Sequence, residues 1–163
     1  MKICQVAKTG LFPSDVEALG ELGLDIASAA DWCRAVPYKS SLTGVTGDAL
    51  CDGYEAQSGK QWTHQLGATL SLFDAGFAAL AAASDPSIKE AVATPAATLK
   101  TLASAGKVDF TAGPMPHVSP GPTVGTRWLR ARAGGSFTFD YVVTENATDP
   151  NVPVARSLTR YHG

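Results

Sequence analysis

The 163-residue sequence has none of the short motifs by which catalytic and cofactor sites are usually found. It lacks GxGxxG and GxxxxGK[ST], which excludes the common phosphate-binding loops. It also lacks HExxH, GxSxG and paired cysteines, so the corresponding zinc and serine hydrolases are not indicated. The sequence therefore predicts no catalytic residue, no metal site and no cofactor, and it favours a protein that is not an enzyme.

Cysteine and long apolar runs are also scarce. Cys4, Cys33 and Cys51 are odd in number and have no CxxC spacing, so we expect buried free thiols rather than disulfides. No apolar run approaches the roughly 20 residues of a membrane span, and the first residues lead into a short strand pattern rather than a signal peptide. We therefore expect synthesis in the cytoplasm, with incorporation into a virion or another assembly as an option, and no membrane partner.

Lysine is absent from residues 124–163, which hold five arginines against three acids, whereas residues 1–123 hold eight basic and twelve acidic side chains. A basic face that meets an acidic face of another copy would orient the two, and unlike faces that meet head to tail generate rings or filaments. A solvated strand face explains the same charges equally well. The predicted subunit interface consists of Arg130, Arg132, Arg156 and Arg160.

The hydrophobic patterns predict one α+β domain over residues 1–163, with a mainly antiparallel sheet. Ser14 and Glu17 have the spacing of a capping box for an N-terminal helix over 15–35, and Asp74 is expected to cap the first of several Ala-rich helices over 75–105. These helices pack on the sheet. The strand patterns lie at 2–8, 62–72, 107–112, 124–132, 136–144 and 152–161, with a polar, Gly-rich loop at 38–60 and a Pro-rich connector at 113–122.

The strands 124–132 and 136–144 form a predicted hairpin, whose register can be derived from its two faces. A two-residue loop would place Arg130 beside Phe139, on the apolar face. A three-residue loop, 133–135, pairs Leu129 with Phe139 and separates polar from apolar side chains, so we expect that register. Such a loop needs a positive φ, which is assigned to Gly135.

A second candidate site combines His64 with acids of the 44–59 loop. His64 lies on the apolar side of the predicted strand 62–72, where a hydrogen-bonded core histidine is the simpler interpretation and a base or ligand-binding residue the alternative. Long loops in compact domains are usually functional. The acids in this loop lack the spacing of a calcium site. The candidate residues are His64, Asp48, Asp52 and Glu55.

Three functional hypotheses follow from these patterns. The favoured one is a self-associating structural subunit of a phage tail, capsid or filament, whose partners are copies of itself in a ring, tube or shell, together with other assembly proteins. The alternative is a small-molecule-binding protein or enzyme with a site near His64. A nucleic-acid binder that uses the arginine face comes third, because the net charge is −2 and aromatic platforms are lacking.

Overall fold

The computed structural model describes residues 2–161 and shows an α+β fold, so the predicted fold class is confirmed. Two single turns of 3₁₀-helix, Lys8–Leu11 and Gly20–Gly23, flank the first α-helix. The other described elements are, in chain order, β1 (Cys4–Gln5), α1 (Pro13–Ala18), β2 (Ile26–Ala30), α2 (Gly47–Ser58), α3 (Gln65–Ala82), α4 (Lys89–Ala97), β3 (Lys100–Ala103), β4 (Gly106–Asp109), β5 (Val124–Arg130) and β6 (Phe139–Glu145).

The main sheet has four strands in the order β1-β2-β5-β6. β1 and β2 run parallel, while β2 with β5 and β5 with β6 run antiparallel. β3 and β4 form a separate antiparallel pair. Because β1 and β2 are parallel, their carboxyl ends lie at the same edge of the sheet, and the segments that follow them meet there.

Two apolar clusters form the core, and Tyr141 of β6 contacts both. Its ring lies 4.5 Å from the Trp128 ring in one cluster and 5.9 Å from the Trp62 ring in the other, measured between centroids. The first cluster contains Val16, Ile26, Trp128 and Phe139. The buried members of the second are Trp32, Cys33, Val36, Cys51, Trp62, Val124, Val143 and Val152.

A buried carboxylate, Asp74, ties α3 to two other parts of the chain. One oxygen accepts hydrogen bonds from Ser40 Oγ at 2.6 Å and the Leu42 amide at 3.1 Å, and the other accepts from the Ser104 amide at 2.8 Å. Burial alone would raise the pKa of Asp74, but these hydrogen bonds outweigh it and hold the pKa below its ordinary value of 3.8. Asp74 is therefore ionised in the fold and connects three separate segments, rather than capping a helix as predicted.

Arg127 of β5 is another buried charge that joins distant segments. Its guanidinium forms an ion pair with Asp25 at 2.7 Å and donates to the carbonyl oxygens of Thr159, at 3.1 Å, and Arg160, at 2.9 Å. The Tyr161 amide then donates to the carbonyl of Lys2 at 3.0 Å. These contacts hold the last described residues against the sheet beside the first ones.

Two helix predictions near the N-terminus are wrong. The helix predicted over 15–35 ends at Ala18, because Gly20 adopts a positive φ of 55° and Ile26–Ala30 pairs with β5 instead. The Ser14 capping box does not form, since α1 begins at Pro13 and its N-cap residue makes no side-chain cap. Pro at the first helical position fits this start.

Two segments in the middle of the chain are helical although the sequence predicted a loop and a strand there. The predicted loop 38–60 contains α2, whose N-cap Thr46 accepts a hydrogen bond from the Ala49 amide at 3.2 Å. The strand predicted at 62–72 is the beginning of α3. The apolar positions include Leu66 and Leu70, which are four residues apart and so share a helix face as well as a strand face, and the Ala-rich continuation favours helix.

The strand predicted at 152–161 is an irregular segment. Pro153 cannot donate to a ladder. Where this segment meets β6, the amides of Ala155 and Arg156 both donate to the carbonyl of Val143.

The β5–β6 hairpin exists, but its predicted register is wrong by one residue. Arg130 faces Phe139, and the positive φ, 88°, lies at Gly134 rather than Gly135. The prediction assumed that one face of the hairpin is open to water. In the structure both faces of β5 are covered, since Trp128 and Arg127 point to opposite faces and both are buried.

We predict that Asp74→Asn lowers the free energy of unfolding by about 2–4 kcal/mol, because one acceptor becomes a donor that faces the donors around it. The wild type should also lose stability as pH falls through the depressed pKa of Asp74, below 3.8, whereas the variant should lose less. Urea unfolding at neutral pH and near pH 3 measures both effects. The exposed Asp140→Asn is the control; an equal loss in the two variants would contradict the role of Asp74.

Candidate ligand-binding site

Aromatic rings cover the edge at which β1 and β2 end. Trp32 follows β2, is buried, and meets Trp62 edge-on with ring centroids 5.8 Å apart. Gly67 in the first turn of α3 lies directly on the Trp32 ring, where a Cβ atom would come within 2.0 Å of it. The tryptophan ring thus fixes how closely α3 approaches this edge.

The segment after β1 leads to Phe12, at the start of α1. The carbonyl of Gly10 accepts hydrogen bonds from Ser28 Oγ at 2.8 Å and from Trp128 Nε1 at 2.7 Å, which holds this segment on the sheet. The Phe12 ring then meets the His64 ring edge-on, with centroids 6.2 Å apart. His64 is buried behind Phe12, and its Nδ1 atom has no hydrogen-bond partner among residues 2–161.

A cleft of about 440 Å³ opens between the start of α1, the end of α2 and the turn that leads into α3. Phe12, Tyr54 and Phe137 give it aromatic walls, while Lys60 and Glu17 place one charge of each sign at its exposed rim. Its volume falls in the range of small-molecule sites. The residues that line it include Phe12, Ser14, Glu17, Tyr54, Lys60, Gln61, Thr63 and Phe137.

Gln61 is the buried polar side chain of this cleft. Its Nε2 atom donates to the carbonyl of Phe139 at 2.6 Å, which fixes the orientation of the amide and leaves Oε1 as the acceptor. Oε1 is buried and has no hydrogen-bond partner within the described chain. A buried amide oxygen without a donor costs on the order of 1–3 kcal/mol, so a ligand that supplies an N–H or O–H group there would be stabilised.

The acids of the predicted site gather around a residue that sequence reasoning missed, Arg34. Its guanidinium contacts Asp48 at 2.8 Å, Asp52 at 2.5 Å and Glu55 at 3.8 Å, all on one face of α2. Glu55 also accepts from the Trp62 amide at 3.2 Å. The structure therefore unites the three predicted acids in an ion-pair network, and among the residues it describes no group of three or more His, Cys, Asp and Glu could hold a metal ion.

His64 does not join these acids, and its ring packs against Phe12 instead. Burial lowers the pKa of His64 below its ordinary value of 6.5, and the charge of Asp31 only partly opposes this effect. The imidazole is accordingly neutral near pH 7 and acts as part of the support behind the cleft.

The four arginines of the predicted interface are exposed, two at the end of β5 and in the turn after it, and two in the segment after β6. Arg130 forms an ion pair with Glu21 of the same chain. Arg132 closes the hairpin turn through its carbonyl, Arg156 lies beside β6, and the Arg160 carbonyl accepts from Arg127. Among the arginines after residue 123, the one that the sequence did not single out, Arg127, is buried.

A second cleft, of about 350 Å³, lies between Tyr38, Lys107 and the Pro-rich connector. Its polar groups already have partners: Tyr38 donates to Asp149 at 2.8 Å, and Lys107 lies 3.3 Å from Asp109. The hydroxyl and amide of Thr111 also donate to Asp109. These hydrogen bonds, together with Lys107 and Lys100, hold the pKa of that carboxyl far below its usual value. The cleft at Gln61 differs because the buried Oε1 atom there has no hydrogen-bond partner among residues 2–161.

Comparison with known proteins finds likeness in structure but not in sequence. No protein-family model matches this chain, and no curated protein matches it. The chain shares its fold with transporter solute-binding proteins. A solute-binding protein of an ABC transporter from R. palustris, solved in complex with benzoate, matches 90% of this chain with a TM-score of 0.53 and 13% identity.

Two further solved structures give the same result. The amino acid ABC transporter substrate-binding protein from Pseudomonas fluorescens Pf-5 matches 91% of the chain with a TM-score of 0.53 and 15% identity. A periplasmic binding protein from Burkholderia mallei matches 91% with a TM-score of 0.55 and 14% identity. This chain covers 35%, 38% and 37% of the three proteins respectively, so it corresponds to little more than a third of each.

These matches overturn the favoured functional hypothesis. The prediction of a virion, tail or capsid subunit is wrong, as is the prediction that copies of the chain in a ring, tube or shell are its partners. The predicted cytoplasmic or virion location is wrong as well, because the similar folds belong to binding proteins, two of them of ABC transporters and one described as periplasmic. The error came from giving weight to the distribution of exposed charges, which contribute little to folding or assembly by themselves.

We predict that burial of His64 makes stability depend on pH. Since its pKa is lower in the fold than 6.5, the unfolded chain binds the proton more readily, and stability should fall as pH drops below that value. The free energy of unfolding should differ between about pH 7.5 and 5.5, and His64→Gln should remove up to about 1 kcal/mol of that difference. Urea unfolding at both values measures it, with the exposed His117→Gln as control. An unchanged slope in the His64 variant would contradict this assignment.

Proposed function

We propose that this chain is a small-solute-binding unit and that its ligand occupies the cleft at Gln61. The observation that carries the proposal is the buried Oε1 atom of Gln61, which has no partner among the described residues although the other end of the same amide is anchored. Native proteins satisfy nearly all buried polar groups. An exception on the wall of a cleft of ligand size is therefore a candidate contact for a ligand.

The cleft also has the composition of a solute site. Aromatic walls from Phe12, Tyr54 and Phe137 would enclose the apolar part of a small molecule. Gln61 would accept one hydrogen bond from it, and Lys60 or Glu17 at the rim would face a charged group at the far end. A small amphiphilic solute with an N–H or O–H donor and one charged group fits these features.

Support also comes from the fold. The proteins that share the fold are solute-binding proteins, and one was solved with benzoate. A periplasmic location belongs to the same proposal, by analogy with those proteins.

We expect a ligand in a panel of amino acids, aromatic carboxylates and neutral sugars to raise the melting temperature. At about 100 times its Kd the stabilisation is about 2.7 kcal/mol, or roughly 5–10 °C for a chain of this size. Ser14→Trp should abolish the shift, because Ser14 is exposed, lines the cleft, and a large ring there would fill it.

Asp15→Trp provides the matched control, since Asp15 is an exposed neighbour on α1 that does not line the cleft. It should bind the same ligand as the wild type. Thermal melting followed by isothermal titration calorimetry gives the two Kd values. The proposal is wrong if no compound in the panel binds, or if Ser14→Trp binds as tightly as Asp15→Trp.

A further inference from the structure

Helix α3 carries an apolar stripe that the described chain leaves uncovered. Its exposed large side chains are Leu72 (73% exposed), Phe73 (55%), Phe77 (49%) and Leu80 (40%). They recur at the three- and four-residue spacing of a single helix face. The opposite face is buried, with Gly67 on Trp32 and Asp74 against Ser104. We call the four apolar side chains together with Gly76 the α3 stripe.

The composition of α3 differs from that of a helix that faces water. Solvent-facing sides of helices normally carry charged side chains, but the sole charged residue in Gln65–Ala82 is Asp74, which is buried. By length and composition the helix would even qualify to cross a membrane. Exposed apolar patches of this kind mark contact surfaces.

The patch continues from the helix onto the β3–β4 pair. A hollow of about 190 Å³ lies at one end of the stripe, with Leu72 and Ala75 on its helix side and Val108 and Phe110 on the other. Gly76 has no side chain, so the stripe is flat at this position, and an added Cβ atom would meet no other atom within 4 Å. Glycine weakens a helix relative to alanine, and nothing in the described chain requires it at this position.

The share of each structural neighbour that this chain covers indicates what occupies the α3 stripe. This chain corresponds to between 35% and 38% of each of them, so each has more than half of its length beyond the part that matches. We propose that the α3 stripe is the docking surface for a further polypeptide segment of solute-binding-protein type, which packs an uncharged, apolar face onto it. This inference depends on the fold and does not require that the cleft at Gln61 binds a ligand.

Two other occupants fit the stripe less well. A helix that lies on a bilayer surface carries Lys or Arg on its polar face, whereas α3 has neither, and its polar face is attached to Ser40 and Ser104 through Asp74. A second copy of the chain would offer an identical stripe, but it would not account for the length of the neighbours beyond the part that matches. Both occupants are outcomes of the test below.

The probes are the two polypeptides encoded directly upstream and downstream of this chain, each produced separately and titrated against it by calorimetry. We expect one of them to bind in a 1:1 ratio. Replacing Phe73 and Phe77 with Ser should weaken that binding at least 100-fold while the chain stays folded, since both rings are about half exposed. Leu158→Ser, an exposed leucine outside the stripe, should bind as the wild type does.

A pair of glycine variants tests the contact more finely. Gly76 of α3 and Gly53 of α2 both lie within helices and have open space where a Cβ would be. Alanine at either position should raise the melting temperature of the chain, but only Gly76→Ala should weaken docking, by about tenfold or more.

Four results would overturn the proposal. The first is that neither polypeptide binds, and the second is that the Phe73 and Phe77 variant binds as tightly as the wild type. The third is that the chain self-associates and this variant does not. The fourth is that the wild type, but not the variant, floats with phosphatidylcholine–phosphatidylglycerol vesicles. The third would assign the stripe to a second copy and the fourth to a membrane. None of them bears on ligand binding at Gln61, which is measured independently.

Discussion

The carboxylate of Asp74 is the constraint on which the arrangement of this molecule depends. It collects three donors from the segment after β2 and the segment after β3, and so fixes α3 between them. With α3 fixed, Gly67 can lie on Trp32, and Trp32 can meet Trp62 at the carboxyl edge of the parallel strands. The geometry behind the candidate cleft is thus linked to one ionised group that must remain buried and fully hydrogen-bonded.

Local sequence patterns were sufficient for the fold class and for the β5–β6 hairpin, but not for the position of every helix. The alternation at 136–144 is strong because aromatic and β-branched side chains carry it, and β6 is found there. At 62–72 the apolar positions include Leu66 and Leu70, four residues apart, so strand and helix fit equally well and the packing of α3 decides. The hairpin register depended on whether both faces of β5 are covered, which no local pattern records.

Some residues of the candidate site are close in sequence and could be recognised together, whereas their partners come from distant parts of the chain. Asp48, Asp52 and Glu55 were recognisable as a group because they lie close in sequence, yet their centre, Arg34, comes from the segment after β2. Gln61 could not be found from the sequence, since its role depends on the Phe139 carbonyl 78 residues away. The one available signal was its position between Gly59, which ends α2 in a left-handed conformation, and Trp62.

The hydrogen bond between the Tyr161 amide and the Lys2 carbonyl has a consequence for how the fold is encoded. Because the two ends of the described chain are neighbours, a short linker could join them while new ends are opened in the exposed turn at 132–135. Every strand of the main sheet would keep its partners in such a circular permutant. The order of the segments along the polypeptide is therefore separable from the order of the strands in the sheet, and the contacts rather than the connectivity specify the architecture.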